Sequence, residues 1–262
     1  MIFDTHTHYD DDAFDEDRDS LLNGLREQGV AAVANMGASM DGVRKSVELA
    51  KRYPFVYAAV GIHPDHVGEL DEEQLKKIGE MSKYEKVVAI GEIGLDYYWD
   101  VSDHDTQKYW FGRQLTLAVE KRLPVVIHSR EAAADTLAIM KEYYKKSQGT
   151  LTGVIHCFSY GPELAREYLN MGFFLGIGGV ATFKNGRKLK EVIEMTPLAS
   201  IVLETDCPYL APEPYRGKRN SSDKLSYVVS AIAKIKDVPE QEVEDVTWEN
   251  AKRLYPRAAR TI

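Results

Sequence analysis

The chain has 262 residues, with 33 Lys and Arg against 41 Asp and Glu, and 44% of its residues are hydrophobic. That length buries a full core, and the apolar and charged fractions exclude wholesale disorder and collagen-like repeats. A net charge of -8 excludes nucleic-acid affinity driven by overall charge, but not a local basic groove or cations held in an acidic mouth. No apolar run approaches the roughly 18 residues of a membrane span, so no membrane contact is expected. The acidic N-terminus lacks the pattern of a secretory signal, and two Cys make no disulfide framework, so a reduced, cytoplasmic setting is expected.

Taken in order, short apolar runs fall at 2–5, 31–36, 55–60, 87–90, 124–127, 152–155, 173–177 and 201–203. Each is apolar on both faces and rich in Val, Ile or Phe, as strands covered on both sides are. Amphipathic stretches lie between them, including 19–25 and 109–122, where Phe111, Leu115, Ala118 and Val119 form one stripe. Ser39, Asp71, Asp105 and Ser222 are expected to cap helices, and a last helix is expected over 240–255, stopped by Pro256. Eight alternating strand–helix units in a chain of this length predict a single-domain (β/α)8 barrel over 1–262 rather than an open doubly wound sheet.

The unusual residues fall at one end of these strands. Of seven His, five sit at or just past a strand's C-terminal end: His6, His8, His63, His128 and His156. Glu92 and Asp206 share that placement, on the barrel rim where catalytic groups gather. His6 and His8 are two apart on an extended segment, so both imidazoles face one way and can grip one cation. Glu92, in an apolar, Gly-flanked strand, is costly there unless paired or bound to a cation. Four imidazoles and two carboxylates exceed the three protein ligands typical of one catalytic zinc, so two ions sharing a carboxylate are expected. Glu204 is read as support for this set. Cys157 and Cys207 are read as packing residues, the runs at 10–12 and 15–17 as a solvated acidic loop, and the glycines from Gly176 as a turn.

The segment after the eighth strand is the most basic part of the rim, with Arg216, Lys218 and Arg219 beside Tyr209 and Tyr215. Arg130 follows His128, while Tyr97, Tyr98 and Trp99 extend the Glu92 loop. Cations and rings beside a metal centre suit a phosphate-bearing, single-stranded substrate whose bases stack on the aromatics.

Seven motifs now stand in order: Phe3-Asp-Thr-His-Thr-His8, Gly61-Ile-His-Pro64, Gly91-Glu-Ile-Gly-Leu-Asp-Tyr97, Val126-Ile-His-Ser-Arg130, His156-Cys-Phe-Ser159, Glu204-Thr-Asp-Cys-Pro-Tyr209 and Tyr215-Arg-Gly-Lys-Arg-Asn220. Together they resemble the TatD family of metal-dependent deoxyribonucleases, among the amidohydrolase-like barrels, over effectively the whole chain. The resemblance implies that His6, His8, Glu92, His128, His156 and Asp206 bind divalent metal and that His63 lies near the scissile phosphate. It also implies that the basic loop meets the substrate. The family's usual Asn-Glu-Pro is Asn220-Ser-Ser here, and its usual small residue after the last Asp is Cys207.

The expected function is hydrolysis of phosphodiesters by two divalent ions (Mg, Zn or Mn), with Glu92 bridging and Asp206 as the base. Family likeness implies 3′-5′ exonuclease action on single-stranded DNA, and no obligate protein partner is inferred. The alternatives are a D-aminoacyl-tRNA deacylase or other ester or amide hydrolase using the same centre, and a metal-bound scaffold without turnover.

Overall fold

The structure, a computed structural model, describes residues 1–99 and 101–262. Eight strands, β1 (Ile2–Thr7), β2 (Val30–Met36), β3 (Val56–Ala59), β4 (Val87–Asp96), β5 (Val125–Arg130), β6 (Gly153–Ile155), β7 (Phe174–Ile177) and β8 (Ile201–Leu203), pair in parallel in chain order. β8 returns to β1 through a parallel bridge between Thr7 and Cys207. There the Asp206 N–H donates to His6 O (3.0 Å) and the His8 N–H to Cys207 O (2.8 Å). This is the (β/α)8 barrel that the spacing predicts. Its helices among the described residues are α1 (Arg18–Gly24), α2 (Met40–Arg52), α3 (Glu72–Met81), α4 (His104–Lys121), α5 (Ala133–Lys146), α6 (Pro162–Asn170), α7 (Arg187–Met195), α8 (Leu225–Lys236) and α9 (Glu240–Leu254).

Strand alternation sorts the apolar residues into two layers. Phe3, Ala34, Tyr57, Ala89, Val126 and Val202 fill the barrel. Their neighbours Val33, Val56, Ile90, Ile127 and Leu203 face outward, in one cluster with helix residues such as Val47, Leu115, Val192 and Val228. Each such side chain, once buried, contributes roughly 1.5–3 kcal/mol. Phe3, near the start of β1, packs on Tyr57, Trp248 and Tyr255, with ring centroids 5.9, 6.2 and 5.9 Å away. Tyr255 also donates to Thr5 O (2.9 Å), so the end of α9 closes the N-terminal mouth and leaves the C-terminal rim for chemistry.

Ser39 and Asp71 cap α2 and α3 as expected, accepting from Gly42 N–H (3.1 Å) and Gln74 N–H (2.7 Å). Two expected caps are displaced. α4 starts five residues before its apolar stripe, so Asp103 is its cap, accepting from Thr106 N–H at 2.9 Å, and Asp105 pairs with Lys108 instead. Ser222 caps nothing, because its hydroxyl donates to buried Asp4 at 2.6 Å.

Two strands carry an extra residue where the chemistry lies. Asp4 pairs with Val33 and Thr7 with Asn35, so β1 gains one residue on β2 around His6. Likewise Ile90 pairs with Val125 and Ile93 with Ile127, so β4 gains one on β5 around Glu92. A bulge re-aims a side chain that regular alternation would point elsewhere. Gly94 then lets β4 press against β5: with φ +149°, a Cβ there would stand 1.9 Å from His128 O.

Candidate metal centre

Four acceptor atoms from three parts of the barrel converge. His6 Nε2 and His8 Nε2, both from the β1 end, are 3.1 Å apart. Glu92 Oε2 lies 3.3 and 3.6 Å from these nitrogens, and Asp206 Oδ1 lies 3.5 and 3.4 Å from them. Donors at zinc distance in a tetrahedron stand about 3.3 Å apart, which matches this spread. Two imidazole nitrogens and two carboxylate oxygens pointing at one centre bring lone pairs together, and a cation relieves that. The donor set therefore fits a bound divalent metal.

Glu92 also faces the other way. Its Oε1 is 2.9 Å from His128 Nδ1, 3.4 Å from His156 Nε2 and 3.8 Å from His63 Nε2. Each of the two inner histidines is backed by a further carboxylate. Asp96 Oδ2 stands 2.9 Å from His128 Nε2, and Glu204 Oε1 stands 3.3 Å from His156 Nδ1. The Asp96 contact is a hydrogen bond and fixes the His128 ring and tautomer, whereas Glu204 meets His156 by charge and proximity and accepts the Cys157 N–H. Glu204 reaches its place because residue 176 is glycine: a Cβ there would meet Glu204 Oε2 at 2.2 Å. Gly176 thus serves close approach rather than a turn.

His63 differs from the rest. Its Nδ1 accepts the Asp65 N–H (3.2 Å), which leaves a proton for Nε2 and makes that nitrogen a donor. Burial and the neighbouring His128 push its pKa down to about 3, so the ring is neutral and can donate to a phosphate without adding charge.

The remaining groups divide by charge. Burial opposes protonation of His8, but the Asp206 bond and charge and Glu92 raise it to about 9. His128 is likewise raised to about 9 against burial, by Asp96 and Glu92. His6 is lowered, by burial and by His156. Burial would raise Glu92 and Asp206, yet the surrounding imidazoles, His156 foremost, hold both below the usual carboxylate range. The two carboxylates differ in access: the Asp206 side chain is 17% exposed against 4% for Glu92.

A family model for TatD-related DNase matches residues 3–256. This chain belongs to the TatD family. It is 42% identical to an uncharacterized metal-dependent hydrolase, YabD, of Bacillus subtilis (strain 168), over 97% of this chain and 99% of that one. It is 32% identical to the 3′-5′ ssDNA/RNA exonuclease TatD of Cronobacter sakazakii (strain ATCC BAA-894), covering 98% and 99% of the two. The crystal structure of YjjV, a TatD homolog from Escherichia coli K12, superposes with a TM-score of 0.90 at 30% identity, covering 97% and 98%. The chain is accordingly a metal-dependent hydrolase of TatD type.

Around the TatD centre, the rim residues divide into free and engaged. Arg219 is engaged: its guanidinium grips both oxygens of Asp17 and the carbonyl of Ala13 (2.7 Å), and lies over Phe14. The acidic runs, read from sequence as a solvated loop, are thus partly a tether for the loop after β8, and Tyr209 also donates to Asp11 (3.0 Å). Tyr97 is engaged as well, stacked on His104 at 3.6 Å and donating to Asp135 (2.7 Å). Tyr215 meets the Tyr227 hydroxyl at 3.2 Å. Arg216 lies exposed over the Phe183 ring at 4.4 Å, and Lys218 is exposed. Arg130 lies over Tyr98 at 3.9 Å.

Two residues escaped the sequence reading. Asp96 sits inside a quoted motif, and only its distance from a strand end hid it. Asp4, fully buried, accepts Thr205 N–H (3.0 Å), Thr205 Oγ1 (2.6 Å) and Ser222 Oγ (2.6 Å). Burial raises its pKa to about 7 despite those bonds. It pins β1 to the segment that carries Asp206, a link that only the closed barrel creates.

Proposed function

We propose that this TatD chain, folded as one unit, hydrolyses phosphodiester bonds of single-stranded DNA with two divalent ions, trimming from the 3′ end. The observation that carries this reading is Glu92, whose two oxygens face two separate sets of donors. His6, His8 and Asp206 would hold one ion, and His128 and His156 the other, with Glu92 shared. Bound there, the ions would polarise a phosphoryl oxygen and make water a better nucleophile. Imidazole donors favour zinc, while the carboxylates also suit manganese and magnesium, which prefer oxygen ligands.

Asp206, ionised and the more open of the two carboxylates, accepts the proton of the attacking water. The neutral His63 donates its Nε2–H to a phosphate oxygen. Arg216 and Lys218 attract the phosphate backbone at the rim, and Arg219 holds their loop in place through Asp17. Asp96 orients His128, and Glu204 sets its charge beside His156. The polarity and the single-strand preference rest on the name of the Cronobacter sakazakii relative, which is a 3′-5′ ssDNA/RNA exonuclease. Free Cys157 and Cys207 support a reducing, cytoplasmic setting. No helix among the described residues is long and apolar enough to cross a membrane.

The test is incubation of the purified protein with end-labelled single-stranded DNA, duplex DNA, RNA and D-aminoacyl-tRNA under magnesium, manganese and zinc. Stepwise shortening of single-stranded DNA from its 3′ end is expected. Ester cleavage of the charged tRNA with no DNA shortening under any metal would replace this reading with the deacylase one.

A further inference from the structure

The β4–α4 loop exposes more aromatic surface than the barrel needs. Tyr98 and Trp99 are 48% and 57% exposed, and their rings meet edge to face at 4.9 Å. The Arg130 guanidinium, from the end of β5, lies 3.9 Å from the Tyr98 ring centroid and 5.4 Å from that of Trp99. Such a group would ordinarily be mobile, yet this one is braced from beneath. Asp96 Oδ1 accepts the N–H groups of both Tyr98 (2.8 Å) and Trp99 (3.2 Å). The Tyr97 N–H donates to Arg130 O (2.9 Å), and the Tyr97 ring is locked by His104 and Asp135.

The same Asp96 carboxylate reaches the centre with its other oxygen, 2.9 Å from His128 Nε2. One side chain thus ties the exposed rings to the second donor set. Arg130 is two residues beyond His128 on β5, a step of about 6–7 Å along a strand. Exposed rings with a cation against them attract flat π-systems, and the Arg charge favours a partner that carries phosphate.

We propose that Tyr98, Trp99 and Arg130 form a stacking platform for one unpaired nucleobase, that of the nucleotide flanking the phosphate at the metal centre. This rests on the nucleic-acid reading of the centre and makes it more specific: recognition is of the base's flat face, sequence-tolerant, and closed to paired bases. It also makes Arg130 part of the platform, with Asp96 as a positioning residue.

The experiment is equilibrium binding of phosphorothioate-linked oligo(dT), and of an abasic oligomer of equal length and linkage, to the metal-loaded protein. Tryptophan fluorescence and competition are the readouts. Wild type is expected to prefer oligo(dT) by about tenfold, as one stacked base gives, with quenching of Trp99. In a Tyr98→Ala plus Trp99→Ala variant the preference should fall close to one while metal content stays unchanged. Binding needs no turnover, so the two readings fail separately. A protein that cuts DNA but binds both oligomers equally, or a double variant that keeps the preference, overturns the platform. A protein that prefers oligo(dT) but hydrolyses no phosphodiester keeps the platform and overturns the nuclease reading.

Discussion

Replacing Asp206 by Asn separates chemistry from architecture. Asp206 has a φ of 56°, in the left-handed region, and Asn is among the few residues that tolerate it, so the backbone is not strained by the change. The amide keeps the size and one acceptor oxygen facing His6 and His8, at positions now 3.5 and 3.4 Å from Asp206 Oδ1. What disappears is the charge and the capacity to take a proton. Loss of a general base costs a factor of about 10² to 10⁴ in turnover, or about 3–5 kcal/mol in barrier height. Turnover should be measured on labelled single-stranded DNA and on a chromogenic phosphodiester under saturating metal, with metal content confirmed in the same samples. NMR titration of the metal-free variant gives a second readout, because His8, raised to about 9 chiefly by Asp206 against burial, should titrate lower. A fully metallated Asp206→Asn protein with near-normal turnover would refute the assignment of the base.

Four further outcomes are expected. His6→Ala with His8→Ala should remove the ion held by these rings, read by elemental analysis, and equal metal in variant and wild type would exclude that set. Asp96→Asn should weaken binding of the second ion by about 10- to 100-fold, the usual cost of losing a carboxylate behind a metal-binding histidine, with the first ion retained in a metal titration. Arg216→Ala with Lys218→Ala should lower the salt slope of single-stranded DNA binding by about 1.4 if each contacts one phosphate, whereas Arg219→Ala should chiefly lower thermal stability by freeing the loop from Asp17. For pH, His8 and His128 (about 9 against 6.5) and Asp4 (about 7 against 3.8) all hold protons more tightly when folded. Their stabilisation of the metal-free protein is therefore greatest at low pH and is lost as pH rises, so the urea midpoint should fall from pH 6.5 to 8. Saturating metal, which replaces those protons, should reduce the fall, and a metal-free midpoint that rises over this window would contradict the charge assignments.

The strands were legible because burial on both faces leaves a run with no polar alternation, and 31–36 or 201–203 admits little else. The rim was legible because five histidines followed such runs. What stayed hidden depends on closure or on local irregularity. Arg219 looked free because its partner Asp17 lies 202 residues away in sequence. Asp4 looked like an ordinary strand residue because Thr205 and Ser222 meet it only when β8 returns to β1. Glu204 and Asp206 stand only two residues apart, but β8 ends at Leu203 and the left-handed turn at Asp206 sends the two carboxylates to different histidines. Asp96 could have been found by extending the fourth strand through its glycines, since residues 92 and 96 then share one face and both reach His128.

Whether Glu92 joins two ions is read from an anomalous difference map of a manganese-loaded crystal. Two peaks are expected, one against His6, His8 and Asp206 and the other against His128 and His156, both touching Glu92. A single peak, or a second one away from Glu92, would rule out a carboxylate shared by two ions.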